Sequence, residues 1–186
     1  MDDAWAKAPG SASLSLAAAP EPVDMGDLVG RVSSRPIRHV RDATYYGWRY
    51  RNPSGDYRFI YAREDRLEGF LVLQRARLGN AADIGIVDWE ASRPEILESM
   101  LSGVVRNGGF DMLSIWTATL PDEFTNSLHA LGFKQKDESR GLSHYRPGLL
   151  AIGAAGTDVM HSAPNDAEIF SNLAKWDLRM AYSDAF

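Results

Sequence analysis

At 186 residues, with 45% hydrophobic and 10% aromatic content, the chain has the length for one domain plus a tail and ample apolar material for a core. A formal net charge of −5 gives no overall field for nucleic acid or acidic membranes, and no apolar run reaches the roughly eighteen residues of a membrane span. Cysteine is absent, which excludes disulfides, thiol catalysis and Cys-based metal sites and suits a reducing cytoplasm.

Residues 1 to 23 are rich in Ala, Ser and Pro without periodicity, so they read as a disordered leader, and structure is expected from Asp24. The early acids and short Ala/Ser stretch lack the basic start and apolar run of a secretory signal. "DMGDLVGRV" makes a short helix, and "RDATYYGWRY" a second that "NPSG" ends. Between Arg31 and Arg77 stand eleven arginines against five acids, either a solvated face or a segment that meets an anion. "YRFIYA" (57–62) and "EGFLVLQRAR" (68–77) flank a hairpin-sized charged turn, and "ADIGIVDW" (82–89) follows the turn signal "LGNA". Three consecutive strands therefore make an antiparallel meander.

The next unit has a different period. Ile96, Leu97, Met100, Leu101, Val104 and Val105 recur at helical spacing behind a Ser92/Glu95 capping-box pattern, and "NGG" at 107–109 stops the helix. "FDMLSIWTA" (110–118) reads as a buried strand, so strand 82–89, the helix and strand 110–118 form a βαβ crossover with parallel strands. Pro121 opens a further helix with Phe124, Leu128 and Leu131 on one face, ended by Gly132. Strands around Phe133 and over "GLSHYRPGLLAI", then a short helix and a strand near Trp176 to Tyr182, complete a single domain over 24–186.

This order of elements, an α/β (α+β) mixed sheet with a meander before a βαβ crossover, resembles the GNAT superfamily of N-acyltransferases. "ALGF" (130–133) is similar to the helix end and Gly-Phe of that superfamily's second conserved region. "WRYRNP" (48–53) ahead of the meander resembles its polysaccharide-biosynthesis branch. The resemblance implies an acyl-CoA-dependent transfer of acetyl, or another acyl group, to an amine such as an amino sugar. Acetyl-CoA would lie where strands 82–89 and 110–118 splay, along Ile86, Val87 and Trp89, with its pyrophosphate on Ser92 and Arg93 at the following helix N-terminus. Tyr46, Trp48 and Arg49 stand where acceptor-side walls are found in the family. The resemblance admits a homodimer or a partner GNAT domain, and no metal is expected from the histidine spacing and the absence of cysteine.

Several positions depart from the family's pattern. The phosphate loop is usually glycine-rich, but "WEASRP" (89–94) has no glycine, adds the like charge of Glu90, and loses a donor N–H at Pro94. Ser92 either caps the helix or contacts phosphate, and Arg93 is either a surface residue or a phosphate ligand. The family's thiolate-protonating tyrosine is replaced by Leu128, and His129 beside it faces differently on the helix. Asp88 near the end of the cleft strand has two readings: a general base, or a carboxylate that hydrogen-bonds a turn or pairs with an arginine. Tyr45, Tyr46 and Trp48 are explained as well by core packing. His39, His129, His144 and His161 show no metal-ligand spacing. Two functions follow: an N-acyltransferase, or a catalytically degenerate GNAT-fold module acting as a scaffold or as half of a two-domain enzyme.

Overall fold

The computed structural model describes residues 12–32, 38–51, 55–75, 83–117 and 122–134. Their elements are β1 (Ser13–Ala17), α1 (Pro22–Val32), α2 (Ala43–Arg49), β2 (Tyr57–Arg63), β3 (Leu67–Arg75), β4 (Asp83–Ala91), α3 (Pro94–Asn107), β5 (Met112–Ile115) and α4 (Asp122–Ala130). The chain divides into two compact units. The described residues of the first are 12–32, 40–51, 55–75 and 83–116, and those of the second are 38, 39, 117 and 122–134. The expected strand over 141–152, the tail helix and strand, His144 and His161 lie outside the described residues.

In the first unit the five strands follow chain order, β1-β2-β3-β4-β5, with antiparallel pairs up to β4 and a parallel β4–β5 pair. The result is a mixed α/β fold with a five-stranded mixed sheet. Parallel pairing of β4 with β5 requires a crossover, which α3 supplies. Alternation along β3 assigns its two faces. Phe70 and Val72 join the core formed by Met25, Leu28 and Val29 of α1, Tyr46 of α2, and the β2 aromatics Phe59 and Tyr61. Gly69, on the opposite face, is crossed by α3: a Cβ there would sit 2.5 Å from Ile96 Cγ2 and 2.7 Å from Met100 Cε. Any side chain at 69 would push the helix off the sheet.

α1 and α2 are antiparallel neighbours, because Gly26 faces Ala43 while Gly47 faces Pro22. A Cβ at Gly26 would lie 2.7 Å from the Ala43 amide nitrogen, so glycine here permits close helix approach. Asp42 caps α2, its Oδ1 accepting from the Tyr45 amide at 2.8 Å. In β4 the pairing partner steps from Asp88 opposite Val72 to Ile86 opposite Leu73. Val87 is the extra, bulged residue, and it shares the α1/α2 face with Asp88.

Three expectations are corrected. Residues 13–17, placed in a disordered leader, form edge strand β1, and α1 begins at Pro22; Leu14 is buried and the five residues pair in register with β2. The short Ser/Leu alternation is too brief and too poor in β-branched residues to be heard above its Ala-rich surroundings. The expected strand over 110–118 is four residues long and half-buried at most, with Met112 49% exposed. Finally, the N-cap of α3 is Arg93 rather than Ser92, because Pro94 takes the first helical turn.

Candidate functional site

The register of β3 against β4 fixes where each backbone group of β4 points. The Ser92 amide donates to the Glu68 carbonyl at 2.8 Å, so in steps of two Phe70 with Glu90 and Val72 with Asp88 form the hydrogen-bonded pairs. Trp89 and Ala91 therefore turn their N–H and C=O away from β3, toward the side on which β5 pairs. Pairing with β5 runs only from Asp83 to Ile86. Among the described residues, β5 pairs with no part of β4 beyond the bulge.

Side chains follow the same register. Asp88 and Glu90, opposite Val72 and Phe70, project to the α1/α2 face, where Arg41 meets both. Its Nη1 lies 2.9 Å from Asp88 Oδ1 and its Nη2 2.6 Å from Glu90 Oε2. Nη1 also donates to the Trp89 carbonyl at 3.3 Å. Asp88 Oδ1 accepts from the Trp89 amide at 2.8 Å, and Oδ2 accepts from the Tyr50 hydroxyl at 3.3 Å. The side chains of Arg41 and Asp88 are wholly buried. Asp88 thus takes the arginine pairing that the sequence allowed, and it has no exposed surface through which an acceptor amine would reach it.

The phenols around this cluster are held neutral. Burial first, and then the Asp88 charge, pushes Tyr50 well above the ordinary tyrosine range. The same two causes raise Tyr45, against which Arg49 and Arg41 act. Burial and then Asp24 raise Tyr61. A folded-state value above the unfolded one means that this stabilisation is complete below the unfolded value of about 10 and is lost as pH rises through the folded values. Urea midpoints are therefore expected to fall steeply above about pH 10, and Tyr50→Phe to reduce that fall. Midpoints unchanged up to about pH 11.5 would contradict the assignment.

The start of α3 is the place the resemblance gives to a pyrophosphate. No side chain caps it. The Ser92 amide is already bonded to Glu68, and Pro94 has no N–H. The Arg93 guanidinium pairs with Glu64 of the β2–β3 turn. The nearby Ser92 hydroxyl, and then the Arg66 guanidinium that pairs with Glu68 Oε1 at 3.0 Å, hold the Glu68 carboxyl below the usual carboxylate range. Glu95 adds another acid in the first turn. These groups do not fit a diphosphate: the amide donors are depleted, the cation is paired, and the surrounding charge repels.

The remaining expected site residues are scattered. Ile86 and the bulged Val87 are buried, and Trp89 is nearly so, on the α3 face opposite Leu71. On α2, Tyr46 is wholly buried, its ring edge-on to Phe70 at 5.5 Å, while Trp48 is 69% exposed. Arg49 is half-buried near Tyr45. Tyr46 and Trp48 therefore do not share a wall.

The second unit explains "ALGF" locally. Gly132 has φ +92, the Phe133 amide donates to the Leu128 carbonyl at 3.0 Å, and the Gly132 amide to His129 at 3.0 Å. That pair of bonds is a Schellman cap, for which glycine in the left-handed region followed by an apolar residue is the ordinary solution. His129 is exposed and Leu128 buried.

Sequence reasoning did not single out Arg41 or Glu64; it took Glu90 only as a like charge in the phosphate loop and Tyr50 only as part of "WRYRNP". One signal was present: Asp88 and Glu90 are two apart on a strand, so one face must hold both carboxylates and needs a cation. Which arginine supplies it, 47 residues upstream, is beyond local pattern. Among the described residues no group of three or more His, Asp or Glu side chains is placed to hold a metal, and no helix is long and apolar enough to cross a membrane. No family model, curated protein or solved structure matches the chain.

Proposed function

We propose that the chain is a GNAT-like module that does not itself take acyl-CoA and acts as a scaffold or as one half of a two-domain enzyme. The observation that carries this reading is Asp88, the best-placed general base in the sequence, buried between Arg41 and Tyr50. A carboxylate so enclosed holds α2 to β4 and is not available to take a proton from an amine. The crowded, acid-lined start of α3 supports the same reading. So does the order of elements, in which a meander, a bulged strand, a crossover helix and a short parallel strand follow one another as the resemblance implies.

A second reading, N-acyl transfer to an amine such as an amino sugar, is favoured by one observation. β5 leaves β4 at Ile86, next to the Val87 bulge, and a departing parallel strand is where the family's acyl donor lies. Calorimetric titration of acetyl-CoA into the purified protein, at low and moderate salt, separates the two. The module reading expects no heat and no thermal stabilisation at millimolar ligand. Micromolar binding that weakens in Arg93→Glu would overturn it in favour of the transferase.

A further inference from the structure

β1 lies at the edge of the sheet, and register decides which of its backbone groups face outward. The Arg75 amide donates to the Asp56 carbonyl at 3.1 Å, so in steps of two Arg58, Ile60 and Ala62 bond to β3. Phe59, Tyr61 and Arg63 turn instead to β1, where they meet Ala17, Ser15 and Ser13. The N–H and C=O groups of Leu14 and Leu16 therefore point away from β2, and among the described residues no strand pairs with them. Beyond Ala17 the chain leaves over the α1/α2 face, where the Tyr61 hydroxyl accepts from the Glu21 amide at 2.9 Å and donates to the Ala19 carbonyl at 3.3 Å.

Edge strands are ordinarily guarded by charge, proline or a bulge. β1 has none of these: residues 8–20 hold no charged side chain, the strand holds no proline, and its pairing with β2 runs unbroken from Ser13 to Ala17. The sequence is also symmetric about Ser15. Reading outward in both directions gives Leu14 and Leu16, then Ser13 and Ala17, then Ala12 and Ala18. A strand paired antiparallel with its own twofold copy sets each residue opposite the one equally far on the other side of the centre. The symmetry thus places leucine on leucine and small residue on small residue, with no like charges opposed, which nothing in an unrelated partner strand would require.

We infer that β1 is a self-association edge, to which a second copy of this chain adds its own β1 about a twofold axis at Ser15. Leu14 and the partner's Leu16 exchange both N–H···O bonds, and symmetry repeats the exchange. The leucines of both strands then form one patch on the α3 face, which covers Leu16, 37% exposed in the single chain. Ser15 stands opposite its own copy in a close non-hydrogen-bonded pair. Two five-residue strands bury less than the roughly 1,000 Å² of a stable interface, so the dimer is a weak one that forms at high micromolar concentration. The inference rests on strand register and sequence symmetry and stands apart from the function proposed above.

Sedimentation velocity of the full chain between about 10 μM and about 500 μM tests it. The wild type is expected to rise from the mass of one chain toward twice that mass. Ser15 is exposed, so the single chain accommodates lysine or glutamate there, whereas in the dimer each would face its own like charge. Ser15→Lys and Ser15→Glu are each expected to stay monomeric throughout, and their equimolar mixture to dimerise as the wild type does. A monomeric wild type, a dimer that persists in either variant alone, or a mixture that fails to recover it overturns the inference. Amide exchange in the wild type needs no variant. From the lower to the higher concentration, the Leu14 and Leu16 protons are expected to slow about five- to tenfold, the protection of one hydrogen bond, and those of Ser13, Ser15 and Ala17 to keep their rates. No slowing, or equal slowing at all five, overturns the inference.

Discussion

Arg41→Ala is expected to destabilise the first unit by about 3–5 kcal/mol, read as a drop in the urea midpoint near neutral pH. The guanidinium and the Asp88 carboxylate are both wholly buried, and Glu90 nearly so. Truncating the cation leaves two carboxylates out of water without the charge that offsets their desolvation. Lysine should recover only part of the loss, since a single ammonium replaces a planar fork that reaches two carboxylates and a carbonyl. The neutral variant Arg41→Met/Asp88→Leu/Glu90→Gln removes all three charges and should be nearer to wild type than Arg41→Ala is. A loss below about 1 kcal/mol in Arg41→Ala would mean that water reaches the cluster, and the case against Asp88 as a base would go with it.

The parts of this fold that were legible in the sequence are those set by local periodicity. α3 follows from apolar residues three and four apart, and β2, β3 and β4 from strand-like runs bounded by turn residues. β1 was hidden because a five-residue edge strand carries almost no pattern, and its stability comes from β2, more than forty residues away. The α3 cap was misplaced by one residue for a local reason: serine and the acid three later make a good box, but Pro94 fits the first turn and moves the boundary.

The site was legible in kind and not in detail. That Asp88 serves either as a base or as an arginine's partner is readable from a carboxylate at the end of a strand. The choice between them depends on Arg41 and Tyr50, which the topology brings to β4 from either end of α2. Likewise the missing glycines of "WEASRP" foretold a poor phosphate site. Only the register shows that the Ser92 amide is already bonded to Glu68 and that Glu64 occupies Arg93.

The aromatics of α2 give the second large effect, because two residues of one helix should behave in opposite ways. Tyr46 is wholly buried, edge-on to Tyr45 at 5.2 Å and to Phe70 at 5.5 Å, and stacked on Tyr50 at 6.3 Å. Tyr46→Ala is expected to cost about 3–5 kcal/mol, combining lost transfer energy with a cavity between α2 and β3. Trp48 points to solvent two residues on, and Trp48→Ala should change stability by no more than about 0.5 kcal/mol. In an antiparallel helix pair that touches at Pro22 and Gly47, the next residue on each helix turns to the same side, so Trp48 shares its outer face with Val23, which is 64% exposed. A large loss on Trp48→Ala would show that the indole is covered in solution. A small loss on Tyr46→Ala would return Tyr46 to the acceptor-side wall that the resemblance gave it, since a residue that recognises a ligand can be truncated without loosening the core.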